Sequence, residues 1–137
     1  MTALYLEDSA WVDLDEIALT DPDEAADIEV ALEEIYDNPE LYEHLNQRGF
    51  RNYNGKPDFD VDWFSELHQK ERLNVYRIKI WYPSGSLSKY RVIYAFDAKH
   101  DCFHVLAVLD RNINYDIKHP TIQRVRSDYE RLGLHPY

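Results

Sequence analysis

Cysteine is all but absent. Cys102 is the only one in 137 residues, which excludes an intrachain disulfide and any metal site built on a cysteine pair. A lone thiol suits a reducing compartment. Long apolar runs are missing too: none approaches the about 18 residues that a membrane span requires. The opening MTALYLEDSA has neither the basic start nor the apolar stretch of a signal peptide. These absences predict a soluble, cytoplasmic chain with no membrane partner. Bases are scarce in one half only. Residues 1–60 carry three Lys or Arg against 17 Asp or Glu, a balance of −14, whereas residues 61–137 carry twelve against nine, a balance of +3. The net charge of −11 repels phosphate over about 8 Å at physiological salt, against non-specific nucleic-acid binding. It leaves room for a basic patch on the second half, shielded or covered by the acidic one.

What is present is a foldable composition. With 45% hydrophobic and 14% aromatic residues, the chain is far from a disordered one, and its length predicts one domain over residues 1–137. Neither an internal repeat nor an interdomain linker is visible. TALYLE alternates weakly and reads as a first strand. Trp11, Leu14, Ile17 and Ala18 then recur at helical spacing. A second helix is announced by Asp21-Pro22-Asp23-Glu24, with a capping acid, a Pro at the first helical position and a Glu three residues after the cap. Ile28, Ala31, Leu32 and Ile35 form its buried stripe, and Asn38-Pro39 ends it. The acids Asp23, Glu24, Asp27, Glu29, Glu33 and Glu34 read as its solvated face. Residues 45–60 read as loop, and VDWFSELHQKE as a short third helix capped by Asp60.

After residue 72 the period changes from helical to two. VYRIKIWY puts Tyr76, Ile78, Ile80 and Tyr82 on one face and Arg77 and Lys79 on the other; KYRVIYAF repeats the scheme with Tyr90, Val92, Tyr94 and Phe96 against Lys89 and Arg91. CFHVLAVLD is apolar almost throughout, as suits an inner strand covered on both sides. A last helix is expected over residues 121–132, stopped by Gly133. The predicted fold class is α+β: an N-terminal strand and helical pair packed on one face of a twisted antiparallel β-sheet, then a C-terminal helix. The opposite face keeps the cations.

Like charges on neighbouring strands stand about 5 Å apart and destabilise each other. Grouping Arg77, Lys79, Lys89 and Arg91 therefore requires either acids from the N-terminal half or a polyanion. Arg111, just beyond the fourth predicted strand, joins them at one end of the sheet, with Tyr115 four residues later.

The order VYRIKI…KYRVIYAF…VLAVLDRNINYD, preceded by IEVALEEIYDNPELYEHL, resembles the RelE/ParE superfamily of bacterial type II toxin–antitoxin toxins. The resemblance covers most of the chain and implies a RelE/ParE-like fold in which residues 46–71 are an insertion. In the RelE-like branch it implies an mRNA interferase, an endoribonuclease that cuts mRNA on the ribosome and is held in check by a cognate antitoxin protein. The matching positions are Arg77 and Lys79, Arg91, Arg111 and Tyr115. Metal-independent scission, with no cofactor, needs the 2′-hydroxyl to attack its own phosphate, the developing charge to be neutralised and the leaving oxygen to be protonated. Arg91 and Arg111 suit the phosphate through planar forks. Arg77, Lys79 and Lys89 suit backbone phosphates, Arg77 or Lys79 also proton delivery, and Tyr115 base stacking or proton transfer.

Two other functions fit the same residues. One is a non-enzymatic, ParE-like gyrase poison, in which Arg77, Lys79 and Arg111 are contact residues. The other is an inactive RelE-fold protein-interaction module whose acidic helices already occupy the cationic face. Residue by residue, Arg77, Lys79 and Lys89 also read as ordinary solvent-facing strand residues, Arg91 as the partner of a helical acid, and Tyr115 as core or rim. His104 reads as a core histidine and His119 as loop. His135 and Tyr137 in the terminal HPY resemble the His and Tyr that end the chain in some branches of the family, and are a second choice of site residues. His44, His68 and His100 lack a metal-ligand spacing.

Overall fold

The computed structural model describes residues 3–113 and 118–134, without the side chain of Glu66. The elements are β1 (Ala3–Leu6), α1 (Asp8–Thr20), α2 (Pro22–Tyr36), a 3-10 turn (Pro39–His44), β2 (Asp58–Trp63), α3 (Ser65–His68), β3 (Val75–Trp81), β4 (Tyr90–Asp97), β5 (Cys102–Asp110) and α4 (Pro120–Arg131). The architecture is α+β, and the five strands lie in the order β1-β5-β4-β3-β2. Strands β2 to β5 run antiparallel to their neighbours. β1, however, is parallel to β5, so the sheet is mixed rather than wholly antiparallel. The chain climbs from β1 through the helical pair before it enters the far edge, and that long connection allows the parallel pairing.

The helix boundaries follow their local chemistry. The Asp21 carboxylate accepts the Glu24 N–H at the start of α2, with Pro22 in the first turn. Gly133, at φ +72°, closes α4 in the left-handed region. His119 lies at the cap of α4, where its Nδ1 accepts the Thr121 N–H.

Each face of the sheet carries its own core. Ala10, Leu14 and Ile17 of α1 and Ile28, Ala31, Leu32 and Ile35 of α2 pack with Tyr76, Ile78, Ile80, Val92 and Tyr94. The buried Tyr94 hydroxyl donates to the Leu45 carbonyl at 2.6 Å and ties the 3-10 segment to that layer. The opposite face is not left to the cations. Phe64 and Leu67 around α3 and Ile122, Val125 and Tyr129 of α4 cover Val75, Ile93, Ala95, Leu106 and Leu109. The odd positions of β4 pass from Arg91 to Ile93 and Ala95, so this face is cationic at one end and apolar at the other.

The predicted third helix is replaced by two elements. Val61, Asp62 and Trp63 belong to β2, an edge strand, and only Ser65–His68 is helical. In DFDVDW, Phe59 and Val61 are buried while Asp58, Asp60 and Asp62 are half-buried on the other side. That is the period of a strand with one apolar face.

Two opposed layers meet round the free edge of β5. β1 pairs with β5 only as far as Val105, whose carbonyl accepts the Glu7 N–H. Beyond that point the buried Asp13 of α1 replaces a strand, accepting the Val108 N–H at 2.9 Å. Arg124 of α4 grips the same carboxylate through both Nη atoms, at 2.8 and 2.7 Å, and its Nη2 also donates to the Leu106 carbonyl.

Asp13→Ala leaves the Arg124 charge and the Val108 N–H without their acceptor. Chemical denaturation is expected to show a loss of about 3–5 kcal/mol, the usual cost of removing one partner of a buried charge pair. His68 supplies a pH dependence. It is buried against Trp63, at 4.6 Å between ring centroids, and near Tyr76 at 5.3 Å. Burial lowers its pKa, a hydrogen bond with the Val75 backbone opposes that, and the Arg48 charge adds to the lowering. The unfolded chain therefore takes up the proton first. The neutral ring's contribution is complete above about pH 6.5 and is lost as pH falls through that value toward the lower folded one. The thermal midpoint of the wild type, measured against His68→Phe by circular dichroism, should fall between pH 7 and pH 5. A pH-independent gap between the two proteins would contradict this.

Candidate nucleic-acid interface

The register of the sheet assembles a row of charges. Asp60 lies opposite Lys79, Asp62 opposite Arg77, and Arg91 opposite Leu109. The β3–β4 pairing runs to Ile78 opposite Val92, and one step further along both strands brings Lys79 level with Arg91. Asp60, Lys79 and Arg91 thus succeed one another across three strands.

The acids of this row come from the edge strand. Arg77 Nη1 lies 3.5 Å from Asp60 Oδ1, and its Nη2 lies 3.2 Å from Asp62 Oδ2. Asp62 also accepts Arg48 Nε at 2.9 Å, and the Arg48 guanidinium stacks on Trp63 at 4.1 Å. Asp58, two residues before Asp60 on the same side, holds Arg51 at 3.0 Å, and Arg51 lies 3.6 Å over the Trp81 ring. An alternating row of carboxylates therefore faces an alternating row of cations. Asp60 and Asp62 are the residues that sequence reasoning missed. The signal was present: acids at 58, 60 and 62 between apolar residues at 59, 61 and 63 match the period of β3, whereas residues 58–60 read as the end of a loop and 61–63 as the start of a helix.

The remaining cations are held differently. Lys79 has no ion-pair partner among the described residues. Burial lowers its pKa most, followed by the Arg77 charge; Arg91 adds to the lowering, and Asp60 and Asp62 oppose it. Arg91 is buried, with Nη1 donating to the carbonyls of Ser88 at 2.8 Å and Tyr90 at 3.1 Å. It braces the start of its own strand. Arg111 is exposed at the end of β5 and makes no ion pair among the described residues; its backbone N–H donates to the Lys89 carbonyl at 2.8 Å. Its backbone is therefore anchored to the same short segment that Arg91 braces.

Lys89 departs from the expected group. Its Nζ lies 3.1 Å from Asp21 at the cap of α2, and that hydrogen bond raises its pKa. It reaches toward the helical layer instead of the cationic row. Beside it, Glu24 of α2 accepts the Tyr82 hydroxyl at 2.6 Å and the Ser88 hydroxyl at 2.7 Å. One acid assigned to a solvated helix face is thus a bridge to the β3–β4 turn, and burial followed by this contact raises the Tyr82 pKa. Tyr115, His135 and Tyr137 lie outside the described residues.

The structure thus brings Arg77, Lys79 and Arg91 together and sets Arg111 at the same end of the sheet. Chemically, the arrangement offers guanidinium forks and an ammonium whose proton is easier to lose than usual, partly neutralised by two carboxylates. No family model, curated protein or solved structure matches the chain.

Removing the carboxylates tests the electrostatics directly. The Asp60→Asn, Asp62→Asn double variant should bind single-stranded RNA or heparin more tightly than the wild type at low salt. The slope of log affinity against log salt should steepen by up to about 1–2, because released cations each displace a counterion. Fluorescence anisotropy over a salt series reads both quantities, and unchanged binding would place these cations out of a polyanion's reach.

Proposed function

We propose that the chain is a RelE-like toxin domain that cleaves mRNA on the ribosome through Lys79, Arg77, Arg91 and Arg111, and that a cognate antitoxin protein restrains it. The observation that supports this reading is Lys79, a half-buried ammonium with no ion pair among the described residues, set beside Arg77 and Arg91 with its pKa lowered. A group that holds its proton less firmly than free lysine is better placed to hand it over in a transition state. In the proposed reaction the 2′-hydroxyl oxygen forms a new bond to the adjacent phosphorus as the P–O5′ bond breaks. Lys79 gives its proton to the departing 5′ oxygen, and the 2′ proton passes to solvent. Arg111, exposed and unpaired among the described residues, takes the phosphate from the open side. Arg77 and Arg91 supply a positive field behind it.

A second reading has an observation of its own. Arg77 is already matched by Asp60 and Asp62, which favours the inactive RelE-fold interaction module, neutralised by its own edge strand. Expression of wild-type protein followed by mapping of transcript ends separates the two. Cuts in codon register are expected, with Lys79→Met lowering the cleavage rate about 10²–10⁴-fold. Lys79→Arg should retain RNA binding while losing cleavage, since a guanidinium keeps its proton. Arg111→Ala should weaken binding without unfolding the domain. DNA damage without transcript cuts would point to the gyrase poison. Harmless expression with no RNA affinity at low salt would leave the interaction module.

A further inference from the structure

Three metal-ligating side chains meet at the opposite end of β4, six residues from Arg91 and roughly 20 Å away along the strand. Cys102 and His104 are alternate residues of β5, and Asp97, the last residue of β4, lies directly opposite Cys102. Their ligand atoms all lie within 4.8 Å of one another. We propose that Asp97, Cys102 and His104 form a binding site for a divalent metal of zinc type. The proposal is independent of the cationic row and of any reaction there.

The distances fit such an ion. Zinc takes sulfur at about 2.3 Å and nitrogen or oxygen at about 2.0–2.2 Å in a tetrahedron, so a sulfur and its neighbouring ligand stand about 3.6 Å apart. Cys102 Sγ lies 3.5 Å from His104 Nε2 and 3.9 Å from Asp97 Oδ2. A sub-ångström adjustment brings all three within bonding range of one centre. A fourth position is open to water.

The surroundings are those of a ligand set. His104 Nδ1 lies 3.4 Å from Glu7 Oε2. With the Nδ1 proton directed at that carboxylate, the Nε2 lone pair is the one aimed at Cys102, which is the carboxylate–histidine pairing that orients metal-bound imidazoles. Tyr5 stacks on the same ring at 5.5 Å and limits its rotation. Asp97 is also held: its Oδ1 accepts the N–H groups of Lys99 and His100, and its Oδ2 lies 2.7 Å from His100 Nδ1. Cys102 is buried, whereas Asp97 and His104 are partly exposed, so an ion has a way in. Sulfur and imidazole favour zinc and its neighbours over magnesium or calcium, which prefer oxygen.

The site escaped the sequence because the spacing Asp-x4-Cys-x-His has one cysteine and no second cluster. Its closure depends on strand register. Glu7 lies between β1 and α1, and Asp97 and Cys102 flank the β4–β5 turn. A bound ion would join the start of the chain to that turn.

Untagged wild-type protein, reduced without added thiols, should take up Co²⁺ in a one-to-one titration. A thiolate-to-cobalt charge-transfer band in the near ultraviolet and tetrahedral ligand-field bands in the visible are expected. Zn²⁺ should displace them and raise Tm. Cys102→Ser should abolish the near-ultraviolet band. His104→Ala should weaken binding at least about tenfold, and Glu7→Gln about 10–100-fold. X-ray absorption of the zinc-loaded wild type supplies a reading that no folding defect in a variant can confuse: one sulfur and the rest nitrogen or oxygen. No charge-transfer band with excess Co²⁺, a band that survives Cys102→Ser, affinity unchanged in His104→Ala, or a zinc shell without sulfur would each overturn the proposal.

Discussion

The Asp13 carboxylate joins the two layers of this domain. β1 is four residues long and β5 nine, so pairing between them leaves the second half of β5 with free backbone groups. An open edge of that kind costs stability if buried and invites pairing with other chains if exposed. Asp13 satisfies the Val108 N–H, and Arg124, reaching round from the opposite face, neutralises the carboxylate and touches the Leu106 carbonyl. One ion pair thus completes a strand edge and fixes α1 and α4 about the same sheet. The cost of burying the pair is offset because almost every polar group it brings in finds a partner.

The cationic row depends on a similar compensation, with less of it. Lys79 and Arg91 stand level on adjacent strands, an arrangement that repels. Asp60 and Asp62 reduce that repulsion from the edge side, while the carbonyls of Ser88 and Tyr90 hold Arg91. The balance stops short at Lys79, which has no ion pair among the described residues, and burial with the neighbouring Arg77 charge lowers its pKa. Toward the far end of the same face, Val75, Ile93, Ala95 and Leu106 are sealed by α4 and α3. Chemistry and packing are therefore divided along the strands.

Much of this was legible in the residues. The alternation in VYRIKIWY and KYRVIYAF placed two strands and their faces correctly, because a half-buried strand with period two has few other readings. The Asp21-Pro22 start of α2 and the Gly133 stop of α4 were equally plain, since capping chemistry is local. DFDVDW was misread. Its first three residues close a polar stretch with Gly and Pro that reads as loop, and its last three run into SELH, which is helical and favours a short helix there. The parallel pairing of β1 is a long-range fact that no local pattern encodes. At the candidate site, Arg77, Lys79 and Arg91 were identified from the strand pattern. The diversion of Lys89 to Asp21 was not, because a long flexible side chain at a strand end can turn to either layer. The carboxylates opposite Arg77 were lost with the misread strand.

The sheet also separates charge. On one side lie α1 and α2, whose outer positions include Asp15, Glu16, Asp23, Asp27, Glu29 and Glu34; on the other lie Arg77, Lys79 and Arg91, beside an α4 that carries Arg124, Arg126 and Arg131. Most of those arginines are already matched: Arg77 by Asp60 and Asp62, Arg124 by Asp13, Arg126 by Glu71 and Arg131 by Asp128. An approaching polyanion therefore meets an acidic helical layer on one side and, on the other, cations that it must win from carboxylates of the same chain.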